Sequence, residues 1–379
     1  MADKKKNKIR AAFRKNRNQR ARLDDWTSRF RSEGAEAGDD AVSDERVSGK
    51  GELTRKRTVL GATTQTEQAG FGVVLDVDEG TLVRGRVLAV HGLISTVEDP
   101  SGGLHFCATR RLLKTLSTDQ RHVVAAGDFV LFRAAAGNEG VIERVESRKT
   151  VLSRATRGRQ QILVTNVDQL LIVASAAEPY LKPNLIDRFL ISAHKTGLRP
   201  LICINKMDLV DPASLAPLVG VYSQMGYQVL LLSAENGLGI DRLRRTLAGR
   251  ASVVAGQSGV GKSSLLNAID PDLNLNVSEV SAENQKGRHT TTTARLWSLS
   301  SGGYVVDTPG IRQFQLWDVI PTEVGAYFRD LRPYIDHCKF PDCTHTHEAD
   351  CAVKNAVADG RLDLRRYESY CHLFAGEME

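Results

Sequence analysis

Three short motifs limit the architectures open to this chain, and they stand in an unusual order. Asn205-Lys206-Met207-Asp208 comes first. Gly256-Gln257-Ser258-Gly259-Val260-Gly261-Lys262-Ser263 is second, and Asp307-Thr308-Pro309-Gly310 is last. Each follows an apolar, β-rich stretch, so each falls at the C-terminal end of a strand, where α/β sheets bind ligands. The second motif has the G-x-x-x-x-G-K-S form between a strand at 251–255 and a helix at 262–269. In that context glycines let backbone N–H groups turn inward around phosphates, and the helix N-terminus adds positive potential. P-loop domains of the guanine-specific kind place this motif first and N-K-x-D near the end. Here N-K-M-D leads, so the domain reads as circularly permuted. The 307–310 segment then closes it, directly before a cysteine/histidine cluster.

The residue types specify the ligand. Lys262 reaches β- and γ-phosphates, and the Ser263 hydroxyl suits Mg²⁺, with Ser264 following on the same helix. A carboxylate at Asp208 accepts from guanine N1–H and the 2-amino group together. Adenine has no such pair of donors, so the site selects GTP and GDP. Asn205 bonds loop backbone and the base edge, while the Lys206 stem covers the ring. Ser233-Ala234, after the stretch 228–232, resembles the loop whose backbone N–H meets guanine O6. Asp307 is placed to bind Mg²⁺ through water and Gly310 N–H to meet the γ-phosphate. The next residue is Ile311, where Ras-like enzymes carry the glutamine that orients the attacking water. The loop 287–293 offers replacements. Thr291 is placed to close on Mg²⁺ and the γ-phosphate. His289 either orients water or is an ordinary loop histidine, and Arg288 either neutralises developing charge or contacts RNA.

Charge is concentrated at one end. Residues 1–31 hold twelve Lys or Arg against three Asp, an excess larger than the whole chain's +6, so the remainder is net acidic. Such arms commonly neutralise nucleic-acid phosphates, or else remain solvated tails. Residues 1–70 read as a basic, largely disordered arm, with a short helix around 9–31 on binding. Residues 71–150 read as short strands at 71–77, 81–90, 93–98, 104–108, 129–133 and 141–145, punctuated by glycines. They suit a small closed barrel, of the OB or the SH3-like kind. Arg84, Arg86, His91, His105, Phe106, Arg110 and Arg111 are its candidate nucleic-acid contacts. Residues 151–320 alternate strands and helices in a doubly wound α/β pattern.

The six cysteines do not form a disulfide pattern, because three crowd into 338–351. Cys338-x4-Cys343-x-His345-x5-Cys351 supplies three thiolates and one imidazole, a full tetrahedral set for a closed structural zinc. His347 is an alternative fourth ligand. Residues 321–379 read as a small helical domain stapled by that metal. No run approaches the ~18 apolar residues of a membrane helix, and the chain reads as a cytoplasmic monomer.

Taken together, these features resemble the ribosome small-subunit-dependent GTPase A family (RsgA) over about residues 71–379. The features are the motif order, Ile311, the 287–293 loop, the preceding barrel and the following cluster. The resemblance implies three domains: an OB-fold, a permuted P-loop GTPase domain and a zinc-binding helical domain. It implies GTP hydrolysis stimulated by the small ribosomal subunit, and action in late maturation of that subunit through rRNA. The family's catalytic histidine falls on His289, its P-loop Lys and Ser on Lys262 and Ser263, and its zinc ligands on Cys338, Cys343, His345 and Cys351. The arm at 1–70 has no secure counterpart. Two other readings stay open. One is a GTP-gated RNA-binding module with negligible turnover; the other is a GTPase acting on another RNA such as tRNA.

Overall fold

The structure, a computed structural model, describes residues 8–12, 56–63, 73–75, 79–110, 113, 123–156, 159–275, 294–307 and 321–376. The chain forms two compact units, residues 1–166 with 293–296 and residues 167–292 with 297–379.

The first unit opens with β1 (Lys8–Ala12), β2 (Lys56–Thr63) and β3 (Val73–Leu75), paired antiparallel in that order. Two of these strands fall inside the segment expected to be a largely unstructured arm. Residues 9–12, placed at the start of a helix that forms on binding, are extended here. Ile9 lies opposite Val59 and Arg10 opposite Thr58, and β-branched partners of this kind favour a pleated strand.

Next come β4 (Val83–His91), β5 (Ile94–Glu98), β6 (Leu104–Thr109), β7 (Phe129–Ala134) and β8 (Glu139–Val145). They pair in the order β4-β5-β6-β8-β7, and β7 returns to β4. The sheet therefore closes on itself and leaves no free edge. The β6–β8 pair is parallel and the others antiparallel. That Greek-key closure is the OB arrangement, and it resolves the choice between OB and SH3-like barrels. Alternation along β5, and a register shift in the β7–β8 pair that resets it along β8, send Val97, Ile142 and Val145 inward onto Val87, Val130 and Phe132.

A hairpin of β9 (Val151–Thr156) and β10 (Arg159–Thr165) follows. A buried ion pair ties its base to the barrel. Arg148 Nε and Nη2 donate to Asp128 at 2.7 Å each, and Asp128 also accepts from Ala125 N and Thr165 Oγ1. Both charged side chains are fully buried. Removing one partner of such a pair strands the other charge. Asp128→Ala is expected to cost about 3–5 kcal/mol, measured as faster hydrogen exchange of β4 and β7 amides. Exchange at the wild-type rate would show the pair to be energetically neutral.

The second unit is built on five parallel strands: β11 (Gln169–Ser175), β12 (Arg199–Asn205), β13 (Gln228–Leu231), β14 (Ala251–Ala255) and β16 (Tyr304–Asp307). The short strand β15 (Arg295–Ser298) precedes β16 in the chain. Helices α1 (Pro183–Thr196), α2 (Ala216–Gln224), α3 (Ile240–Leu247) and α4 (Lys262–Ile269) link the strands. The strand order is β13-β12-β11-β14-β16. Leu171, Val173, Leu201, Cys203 and Leu230 form one core with α3 and α4. Ile172, with Ile186 and Phe189 of α1, lies on the other face. The inner strands are buried on both faces, which is why they read as continuous apolar runs.

The chain ends in short helices α5 (Val324–Tyr327), α6 (Arg332–Ile335), α7 (Ala352–Ala358) and α8 (Leu364–Phe374). Val324, Phe328, Leu331, Val353, Tyr370 and Leu373 form their core, and Ile191 of α1 belongs to it. Among the described residues no helix is long and apolar enough to cross a membrane.

Candidate guanine-nucleotide site and metal cluster

From β14 the chain leads next, among the parallel strands, to β16 on one side. β11 on its other side leads away to β12. Neighbouring strands thus diverge at β14/β11, and the crevice at their C-terminal ends is where such sheets take ligands. The phosphate motif lies there. Gly256 and Gly261 have φ of 152° and 87°. A Cβ would stand 2.1 Å from Val173 O at the first and 2.4 Å from Asn205 Nδ2 at the second, so both backbones need glycine. Val260 is buried, and Gln257, Ser258 and Gly259 complete the turn. Lys262 opens α4, its Nζ donating to Gly256 O at 2.8 Å and Gln257 O at 2.7 Å. The ammonium is thereby held over the loop where phosphate oxygens would replace these carbonyls. Ser263 and Ser264 sit half-buried in the first turn of α4.

Asn205 joins three loops. It is buried at the end of β12; its Nδ2 donates to Val260 O at 2.9 Å, and its Oδ1 accepts from Ala234 N at 3.3 Å. One amide thus ties the N-K-M-D, phosphate and Ser-Ala segments together. Lys206 has φ of +62°, and its Nζ donates to the Glu178 carbonyl. Buried Met207 anchors the loop through its N–H to Leu232 O at 3.1 Å. Asp208 accepts from the hydroxyl of fully buried Ser233, which orients the carboxylate before any base arrives. Glu178 belongs to no motif, and its role was not legible in the sequence because a backbone carbonyl makes the contact.

Asp307 ends β16, whose neighbour is β14. Gly310 and Ile311, and Arg288, His289 and Thr291, lie outside the described residues.

At the C-terminal end, one ligand atom from each of Cys338, Cys343, His345 and Cys351 comes together, all within 4.8 Å of one another. Cys338 Sγ is 3.8 Å from Cys351 Sγ and 3.4 Å from His345 Nδ1. Tetrahedral ligands with Zn–S bonds of about 2.3 Å stand about 3.8 Å apart, so the spacing fits zinc. Burial, then the neighbouring Cys351 and Cys338 sulfurs, push the Cys343 thiol up to about 12. A cation is what lets three thiolates share such a volume. Burial also lowers the pKa of His345, which favours the neutral ring that a metal requires. His347, the alternative ligand, is exposed and bonds Thr346 Oγ1 instead. Behind the ligands, Tyr367 and Tyr370 hydroxyls donate to His345 O and Thr344 O at 2.8 Å each.

On the barrel most of the candidate contacts are engaged internally. Arg84 pairs with Glu146 at 2.9 Å, and Arg110 with Glu143 at 3.0 Å. His105 bonds Asp99 at 2.9 Å, and Arg86 is buried with Nη2 on Asn166 O. Arg111 lies outside the described residues. His91 and Phe106 are exposed, and Leu93 and Leu104, which the sequence did not single out, are exposed with them.

A family model described as RsgA GTPase matches residues 145–317. The small ribosomal subunit biogenesis GTPase RsgA of Sodalis glossinidius is 38% identical over 331 residues, 86% of this chain and 94% of that protein. The protein of the same name from Thermotoga petrophila is 41% identical, over 77% of this chain and 95% of its own. Among solved structures, YjeQ from Thermotoga maritima gives a TM-score of 0.63 at 38% identity, covering 78% of this chain and 98% of that one. YloQ, described as a circularly permuted GTPase, gives 0.62 at 30% identity, covering 79% and 96%. Relatives at this identity run through nearly their whole lengths here, and the sheet carries its motifs in the permuted order. The chain therefore belongs to the RsgA GTPase family and is a guanine-nucleotide-binding, GTP-hydrolysing enzyme.

Proposed function

We propose that this GTPase acts in late maturation of the small ribosomal subunit, binding its rRNA and turning over GTP when docked there. The observation that carries the nucleotide half is the Asn205 amide, which gathers the base and phosphate loops into one site. The ribosomal half rests on the relatives' function in small-subunit biogenesis. GTP enters with its base on Asn205, Lys206, Asp208, Ser233 and Ala234. Its phosphates lie on the loop Gly256, Gln257, Ser258, Gly259, Val260, Gly261, with Lys262, Ser263 and Ser264. Lys262 leaves the Gly256 and Gln257 carbonyls and stabilises charge developing on the γ-phosphate. Ser263, Thr291 and Asp307 would hold Mg²⁺, which would supply neutralisation of phosphate charge. Gly310 N–H meets the γ-phosphate. His289 positions the attacking water in place of the glutamine that Ile311 displaces.

Cys338, Cys343, His345 and Cys351 hold one structural zinc. The arm at 1–70, the barrel at 71–150 and the zinc domain at 321–379 flank the GTPase domain at 151–320 and contact rRNA. The enzyme works as a cytoplasmic monomer.

The test is GTP turnover by the full chain alone and with small subunits, large subunits or tRNA. Stimulation confined to small subunits is expected, and His289→Ala should remove about 10²–10⁴-fold of it. Tight GTP binding with no stimulation by any partner would instead mark a nucleotide-gated RNA-binding protein. Stimulation by tRNA alone would move the substrate RNA.

A further inference from the structure

Arg366, on α8, is buried against the nucleotide domain. Its Nε and Nη2 donate to Asp330 at 2.8 and 2.9 Å, and its Nη1 pairs with Asp187 of α1. The guanidinium lies 4.2 Å from the Phe328 ring centroid. Asp187 is fully buried, and it accepts from the Tyr222 hydroxyl on α2 at 2.8 Å. That hydroxyl also lies 3.3 Å from the carbonyl of Pro183, the first residue of α1. Asp187 is therefore a node where α1, α2 and α8 meet.

Burial raises the pKa of Asp187, and the Arg366 charge opposes that rise. An apolar contact would hold α8 in place at least as well, because buried ion pairs seldom add net stability. What the guanidinium adds is a fixed geometry: held bidentately on Asp330, it sets its Nη1 against the Asp187 carboxylate. Two of the three, α1 and α2, each follow a segment of the base site in the chain. α1 is fed by 176–182, where the Glu178 carbonyl receives Lys206 Nζ. α2 follows the N-K-M-D loop in the chain.

We propose that Arg366 is a positioning residue for the guanine site. Through Asp187 it fixes the N-terminal half of α1 and the seat of α2, and through them the 176–182 segment and the loop that carries Lys206 and Asp208. Seating of α8 and binding of guanine nucleotide are thereby coupled, and coupling of this kind is reciprocal. The proposal rests on the guanine-site reading above.

The experiment is hydrogen exchange on the full chain with and without GDP, together with GDP affinity from a fluorescent analogue. In the wild type, GDP is expected to slow exchange at 205–208 and also across 364–374. Arg366→Met should weaken GDP binding about tenfold and abolish the GDP-dependent protection of 364–374, with metal content unchanged. Because that change leaves two acids without their cation, Arg366→Met combined with Asp187→Asn is the second variant. The asparagine keeps an acceptor for Tyr222, and the double variant should show the same loss of coupling in a folded chain. Wild-type protein protected at 205–208 but unchanged at 364–374 overturns the proposal, as does wild-type GDP affinity in both variants. A wild-type chain that binds no GDP overturns the guanine-site reading itself, and the proposal with it.

Discussion

Asp208→Asn is expected to lower GTP affinity about a thousandfold and to raise affinity for xanthosine triphosphate. Guanine offers two donors, N1–H and the 2-amino group, and a carboxylate accepts both. An amide accepts one and sets its own N–H₂ against the other. Charge-assisted hydrogen bonds contribute about 1.5–3 kcal/mol each, and a thousandfold corresponds to about 4 kcal/mol. Xanthine carries a carbonyl where guanine carries the amino group, so the same amide finds a complementary edge. The Ser233 hydroxyl that holds Asp208 can donate to an amide oxygen as well, so the orientation should survive. Competition binding with the two nucleotides measures the effect. If the Asp208→Asn variant binds GTP as the wild type does, this carboxylate has no part in base recognition.

Stripping the metal should unfold residues 336–358 while the barrel stays intact. Cys351 is the N-cap of α7 and is buried in the C-terminal core. The ligand loop is otherwise held chiefly by hydrogen bonds from Tyr367 and Tyr370 and by Glu348, which accepts from Thr344 and Thr346. Structural zinc supplies about 10 kcal/mol or more in small domains, as much as the whole stability of many proteins. Chelation, or Cys351→Ala, is expected to abolish amide protection across 336–358. Wild-type protein should hold one zinc per chain. Unchanged exchange in metal-free protein would show that the cluster is not a folding staple.

The loops that carry chemistry were legible because each is short and contiguous. N-K-M-D and G-Q-S-G-V-G-K-S need only local strand-turn-helix context, the cysteine spacing needs only a short loop between two helices, and the cluster's side chains meet as that spacing implies. The parallel strands were legible from their apolar runs. The barrel was legible as strands only. Its identity depends on β6 pairing parallel with β8 and on β7 returning to β4, and neither pairing leaves a mark in the local pattern. His345 could not be separated from His347 by spacing, because the choice depends on which ring the backbone turns inward; His345 has φ of +60°. The meeting of Arg366 with Asp187 was invisible. Its partners lie far apart in the chain, and an arginine on a helix ordinarily faces water.

The permuted order also dictates a timetable for synthesis. Strands β11, β12 and β13 leave the ribosome before β14, so the base-recognising half of the sheet exists before the phosphate-binding half. During that interval β11, an interior strand of the finished sheet, has one side unpaired. An apolar strand with an open edge invites pairing with other chains. A nascent chain whose emerged part ends between residues 234 and 251 therefore carries the base loops without the phosphate loop, with one side of β11 open to other chains.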